Sequence, residues 1–231
     1  GLYGNLIKHC LQQGFAVALF DLPGHGLSSG KFASIASFNQ YSQAFLSLVA
    51  EAEKQQLNKP WYVIGQSTGA AVLVNCVIEN SFPRESFAQT ILLAPLLYPR
   101  NWKATRVLFS VTRWFLSSTN RNFSTNSHDQ EFLDFLRTSD SLQSMKLPTD
   151  WVLAMIDYHK RFLEFQPQSQ AINIIQGTED QTVNWAYNIK KIEEKFVGTK
   201  TYLVNGGRHH LVNESKDYRE RVFSLIDQLL K

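Results

Sequence analysis

Residues 61–71 read Trp-Tyr-Val-Ile-Gly-Gln-Ser-Thr-Gly-Ala-Ala, an apolar run entering a Gly-x-Ser-x-Gly turn with small residues behind it. This is the sequence form of a nucleophile elbow, with Ser67 at its tip. A sharp strand-to-helix turn strains the backbone at the serine, and Gly65 and Gly69 are expected to supply the space beside it. The turn lifts the hydroxyl out of the sheet toward an approaching carbonyl. The helix that begins there aims backbone N–H groups at the same place, which suits an oxyanion. The pentapeptide alone is a weak signal, expected by chance in about one chain of this length in ten. Its context is more specific. Trp61 to Ile64 is rich in strand formers, Leu57-Asn58-Lys59-Pro60 is a loop, and Ala70 to Val77 is small and apolar, as a buried helix would be. The plain alternative is an ordinary strand-to-helix turn that happens to hold a serine.

Serine is a poor nucleophile at neutral pH and needs a base, which in turn needs an orienting acid. On sheets of this kind the order is serine, acid, histidine, each after a strand. After an apolar run at 171–176 comes Gly177-Thr178-Glu179-Asp180-Gln181-Thr182-Val183, and after another at 200–204 comes Asn205-Gly206-Gly207-Arg208-His209-His210-Leu211. Asp180 is the better acid because it precedes the turn into the helix at Val183, and Glu179 then reads as a solvated loop charge. His209, directly behind the glycines and Arg208, is placed at the site, with His210 on the opposite side. His9, His128 and His159 show no partner pattern. His25 lies in a strand-end loop, where it either approaches the site or shapes the loop. No Cys, His and carboxylate spacing suggests zinc, and Gly24-His25-Gly26 is too short for a dinucleotide or phosphate loop. No cofactor is required.

These residues need elements to hold them. The patterning predicts a helix over 2–13, a doubly buried parallel strand over 15–20, and a helix over 37–56 capped by Ser37. It then predicts strands over 61–65 and 89–94 around a helix at 68–80. From 96 to 165 the alternation gives way to helical patterns at about 101–117, 128–137 and 149–164. It resumes with strands at 171–176 and 200–204 and helices at 183–196 and 215–230. Alternating strands and helices imply an α/β fold with a mostly parallel sheet. The division expected is a core of 1–95 and 166–231, with 96–165 inserted as a helical cap, or lid, over the carboxyl ends of the strands.

With 231 residues, 44% hydrophobic and 19% charged, the chain suits one ordinary globular core. A net charge of +3 gives no footprint for nucleic acid, and no basic–aromatic RNA motif appears. Cys10 and Cys76 read as reduced core residues. No run of 18 apolar residues suggests a transmembrane helix. The chain opens without Met or a leader pattern, straight into the amphipathic run Leu2, Leu6, Ile7, Cys10, Leu11. The reading is a fragment of a cytoplasmic protein whose first sheet strands lie upstream.

Taken together, the motifs resemble the monoacylglycerol lipase and lysophospholipase group of α/β-hydrolases, the serine aminopeptidase-like branch. Gly1-Leu2-Tyr3-Gly4-Asn5-Leu6 is similar to that family's Gly-x-Tyr-x-x-Leu first helix. Asp21-Leu22-Pro23-Gly24-His25-Gly26-Leu27-Ser28-Ser29-Gly30 is similar to its Asp-x-x-Gly-His-Gly-x-Ser-x-Gly loop. Gly65-Gln66-Ser67-Thr68-Gly69 resembles its elbow, Gly177-Thr178-Glu179-Asp180 its acid loop, and Gly206 to Glu214 its Gly-Ala-x-His-x-Leu-x-x-Glu histidine loop. Two departures stand out. The family's elbow usually has His before the serine and Met after it, where this chain has Gln66 and Thr68. The family's His-Gly oxyanion loop precedes the first helix, so the resemblance puts one oxyanion donor on the Thr68 backbone N–H and the other upstream of Gly1.

The resemblance implies a serine carboxylic-ester hydrolase acting on a single-chain lipid ester, with catalytic Ser67, Asp180 and His209. Rival readings are a small-ester or C–C bond hydrolase, a peptidase, and a non-catalytic binding protein of the same fold. A peptidase would want cap carboxylates such as Glu131 or Asp134 facing the site. Between Glu85 and Asp129 there is no acidic residue, while Arg100, Lys103, Arg106, Arg113 and Arg121 alternate with Trp102, Val107, Leu108, Phe109, Trp114 and Phe115. Such a pattern suits peripheral contact with an anionic membrane surface, or a phosphate head group above an acyl chain. It equally suits a small cap with its aromatics on the sheet and its arginines in water. Trp151, Tyr158, Phe162 and Phe165 have near-helical spacing and read as core.

Overall fold

The computed structural model describes residues 2–112, 114–120 and 125–231, the side chains of 108 and 112 excepted. Gly1, Arg113, Arg121 and the Leu108 side chain, all singled out above, lie outside that description. The first helix, α1, spans Gly4–Gln12. Helix α2, Phe38–Lys54, starts where the Ser37 hydroxyl accepts the Asn39 N–H. It buries Phe38, Tyr41, Phe45 and Val49, a run at helical spacing that fixes which side faces inward. Strand β1, Trp61–Gln66, feeds α3, Thr68–Ile78, in which every residue from Ala70 to Val77 is buried. A helix this apolar all round belongs in the interior. Strand β2 is Phe87–Leu93.

Between β2 and the next core strand the chain builds α4 (Trp102–Thr112), β3 (Ser118–Asn120), α5 (Gln130–Thr138), β4 (Lys146–Pro148) and α6 (Thr149–Glu164). The β3–β4 antiparallel pair was not legible in the sequence, because each strand is three residues long and shows no alternation. The core then resumes with β5 (Asn173–Gly177), α7 (Trp185–Lys195), β6 (Lys200–Val204) and α8 (Lys216–Leu229).

The main sheet is parallel, with order β1-β2-β5-β6. Its two faces bury separate clusters. Ile91, Leu93, Ile175 and Val204 pack toward Val222 and Ile226 of α8, while Leu92 and Ile174 join α2, α3 and the aromatics of α6. Tyr158 and Phe162 of α6 lie in that core, and Trp151 and Phe165 pack against it.

Residues 15–20 correct one expectation, because they form no strand. Val17 and Leu19 are 37% and 55% exposed, and the segment meets β1 through Phe15, whose ring stands edge-on to Tyr62 at 5.7 Å. An apolar run signals a preference for burial, but a strand also needs a neighbour for its backbone groups. The described residues supply none here.

The insert is tied to the core by Arg161 of α6. Its guanidinium donates to Asn75 Oδ1 of α3 at 3.1 Å and Asn39 Oδ1 of α2 at 3.3 Å, and pairs with Glu79 and Asp157. Asn75 is fully buried and also donates to Asn39 and to the Ser42 hydroxyl. No helix among the described residues is long and apolar enough to cross a membrane.

Candidate active site

The carboxyl ends of β1, β5 and β6 bring Ser67, Asp180 and His209 into contact. The backbone at Ser67 has φ 51° and ψ −110°, a strained conformation that a side chain adopts only where the surroundings impose it. The surroundings are visible. The Ser67 N–H donates to Leu93 O of β2 at 2.9 Å, and its carbonyl accepts from Ala71 and Leu96. A Cβ on Gly65 would sit 2.7 Å from the Gly69 carbonyl carbon and 2.8 Å from the Ala70 nitrogen, so only glycine permits the helix to start this close to the strand. Gly69 is different. A Cβ there would meet nothing within 4 Å, so the space reading offered for it does not hold, and its backbone rather than its missing side chain is what Gly65 must clear.

From Ser67 the contacts run inward. His209 Nε2 lies 2.9 Å from Ser67 Oγ, and His209 Nδ1 lies 2.7 Å from Asp180 Oδ2. Asp180 is 1% exposed and His209 3%. The other Asp180 oxygen accepts the Thr182 and Val183 N–H groups at 2.8 and 3.1 Å, and Oδ2 also accepts the Gln176 amide at 3.0 Å. Burial alone would push this carboxyl up, but the His209 ring, the Gln176 amide and the Val183 N–H outweigh it and hold it below the usual carboxylate range. The arrangement fixes the histidine tautomer. An ionised Asp180 accepts at Nδ1–H, which leaves Nε2 bare toward the serine.

Two turns must meet for this to work. The acid turn and the histidine turn close on each other through Glu179 N–H to Gly207 O at 2.9 Å, Thr178 N–H to Val204 O, and Gly206 N–H to the Thr178 hydroxyl. Gly177 sits at the closest point, where a Cβ would fall 2.3 Å from Gly207 O.

Gln66 and Thr68 flank the serine. Gln66 is buried, and its amide donates to His209 O at 3.3 Å and lies 3.5 Å from His210 Nδ1. The elbow strand therefore touches the histidine loop directly through the residue that departs from the family pattern. Thr68 is the first residue of α3, which puts its backbone N–H at the helix start. Glu179 is 58% exposed at its side chain and stands 3.9 Å from His128 Nε2. His210 meets Phe132 of α5 edge-on at 5.1 Å. In the Asp21 loop, His25 Nδ1 lies 3.1 Å from Pro23 O and 3.5 Å from the Tyr41 hydroxyl. His9 meets Asp227 at 2.7 Å, and His159 meets the Tyr187 hydroxyl at 3.1 Å. His128, which showed no partner pattern in the sequence, lies against buried Glu214 and stacks on Tyr218. Among the described residues no three metal-ligating side chains converge.

Strands alternating with helices, a strained serine at the elbow and an insert between β2 and β5 are the build of an α/β-hydrolase. Residues 1–216 match the family described as serine aminopeptidase, S33, and the chain belongs to it. The solved structure of Paleococcus ferrophilus monoacylglycerol lipase superposes with a TM-score of 0.80 at 19% identity, covering 99% of this chain and 88% of that one. A soluble variant of the Saccharomyces cerevisiae monoglyceride lipase, in complex with a substrate analogue, gives 0.82 at 16% identity over 100% and 81% of the two chains. Mouse alpha/beta hydrolase domain-containing protein 10 gives 0.70 at 16% identity over 100% and 84%. A comparison with curated protein sequences found no match.

Proposed function

We propose that the chain is a serine carboxylic-ester hydrolase acting on single-chain lipid esters through an acyl-enzyme. The observation that carries this reading is the unbroken series Ser67 Oγ, His209, Asp180, at 2.9 and 2.7 Å. Ser67 attacks the ester carbonyl while His209 Nε2 takes its proton. His209 returns that proton to the leaving alcohol, and Asp180 orients the ring and stabilises its charged form. The Thr68 N–H donates to the developing oxyanion. Water, with its proton passed to His209, then attacks the acyl carbonyl. As the Ser67 Oγ–acyl bond breaks, His209 returns that proton to Ser67 Oγ, releasing the fatty acid and restoring the serine.

The lipid part of the reading draws on two monoglyceride-class lipases of the same fold and on the insert surface. Trp102 and Phe109 of α4 are buried, whereas Val107, Val111 and Phe115 are 66–87% exposed beside Lys103 and Arg106. A helix with an apolar outer side and cations beside it suits an anionic lipid surface. Glu131 and Asp134, the carboxylates a peptidase reading would use, are exposed on α5, whose buried positions are Leu133 and Leu136.

The test is fatty-acid release from a monoacylglycerol and a lysophospholipid of equal chain length, by the protein and its Ser67→Ala variant. Release abolished by the substitution supports the reading, and the faster substrate shows whether the basic insert reads a phosphate. Equal release by both proteins, or none by either, overturns it and sends the search to small esters and peptides. Failure of a fluorophosphonate to label Ser67 would favour a non-catalytic binding protein. Co-sedimentation with anionic but not neutral vesicles tests the membrane contact.

A further inference from the structure

A buried carboxylate outside the triad holds the histidine loop. The Glu214 side chain is 0% exposed. Its Oε1 accepts the Arg208 N–H at 2.6 Å, and its Oε2 accepts the N–H groups of His128 at 2.7 Å and Ser215 at 3.2 Å. The His128 ring nitrogen Nδ1 lies 3.1 Å from Oε2, and the Ser127 hydroxyl lies 3.5 Å from it. A desolvated carboxylate is costly unless donors surround it, and these donors come from two parts of the chain. Arg208 and Ser215 bracket the histidine loop. Ser127 and His128 belong to the segment that enters α5 of the insert.

That segment holds the loop from outside as well. The His210 N–H donates to Asn126 O at 2.9 Å, the Arg208 guanidinium donates to Ser127 O at 2.9 Å, and the Ser127 hydroxyl donates to Asn213 O at 2.7 Å. Both backbone neighbours of His209 are therefore fixed, one by Glu214 itself and one by the strip that Glu214 grips.

We propose that Glu214 is a positioning residue that sets the His209 imidazole against Ser67 by clamping the histidine loop to residues 126–128 of the insert. The proposal rests on His209 being the base. A ring displaced by about 1 Å loses on the order of 10²-fold in rate, so the clamp has catalytic consequences although it touches no substrate.

Glu214→Gln tests it in the full chain. The amide fills the same volume but turns an NH2 toward either the Arg208 or the His128 N–H, so one of the two grips is broken. Glu214→Asp keeps both acceptor oxygens one methylene shorter, and serves if the first variant does not fold. Active sites are titrated with a fluorophosphonate, and kcat and KM are then measured on p-nitrophenyl butyrate per titrated site. The expected result for Glu214→Gln is full labelling at the endpoint, with the labelling rate and kcat both down about 10²-fold, KM little changed, and a smaller loss for Glu214→Asp. A carboxylate that only stabilises the fold would lower the melting temperature and leave kcat per labelled site at the wild-type value in both variants, and that result overturns the proposal. Absence of labelling in the wild type is a distinct outcome, which removes His209 as base and the proposal with it.

Discussion

The sharpest consequence of the site geometry concerns Asp180→Asn. The groups seen to hydrogen-bond this side chain among the described residues are donors: two backbone N–H groups on Oδ1, and the Gln176 amide and His209 Nδ1 on Oδ2. The backbone pair cannot reverse, so an asparagine turns its oxygen toward Thr182 and Val183 and its NH2 toward His209. The imidazole must then accept at Nδ1 and carry its proton on Nε2, which points at Ser67 Oγ 2.9 Å away. A base already protonated on that nitrogen cannot take the serine proton. Triads held in the wrong tautomer lose about 10⁴-fold in kcat, or about 5.4 kcal/mol at about 1.36 kcal/mol per tenfold. The fold should survive, because the volume is unchanged. The NH2 facing the Gln176 amide costs about 1–3 kcal/mol, which at about 2–4 °C per kcal/mol is visible in a melting curve but not ruinous. The assay is steady-state hydrolysis of a short p-nitrophenyl ester alongside thermal melting. A variant that melts within this range yet keeps kcat within tenfold of wild type would refute the tautomer argument. Glu179→Gln, one residue away and largely exposed, is the matched control and should leave kcat unchanged.

The two elbow glycines should behave oppositely. Gly65→Ala forces a Cβ onto the backbone of Gly69 and Ala70, costing about 1–3 kcal/mol in melting experiments, whereas Gly69→Ala enters open space on a helix and should hold or raise the melting temperature. Arg161→Ala leaves the fully buried Asn75 carbonyl oxygen without its charged donor and should cost about 1–3 kcal/mol in denaturant unfolding; an unchanged midpoint would show that the insert is anchored elsewhere. Asp180 also sets a pH dependence. Its native pKa lies below the ordinary unfolded value near 3.9, so the unfolded chain binds more protons in between and stability rises with pH there. This contribution is complete above about pH 4 and fades as pH falls through the native value. The stability gap between wild type and Asp180→Asn should therefore narrow as the pH falls below about 4, leaving the cost of the NH2 facing the Gln176 amide.

Much of this protein was legible in its residues because the relevant signals are local. The elbow is a strand, a strained turn and a helix within a dozen positions, so the order of Gly65, Ser67 and Ala70 to Val77 carries its own geometry. The choice of Asp180 over Glu179 likewise followed from its place before the helix turn, and the fold brings that carboxylate, not its neighbour, to His209. The parallel sheet was visible as strand patterns alternating with helical ones, and the run of elements between β2 and β5 as a break in that alternation. What the tertiary structure alone decided lies between distant residues. The run at 15–20 is apolar enough for a strand, but strand formation requires a hydrogen-bonding neighbour, which no local pattern specifies. Gly69 looked sterically required until the atoms around it were in place. The grip of Glu214 on His128 spans 86 positions, and that of Gln66 on His209 spans 143. A chain's periodicity says which side of an element turns inward, and only the packed fold says what meets it there.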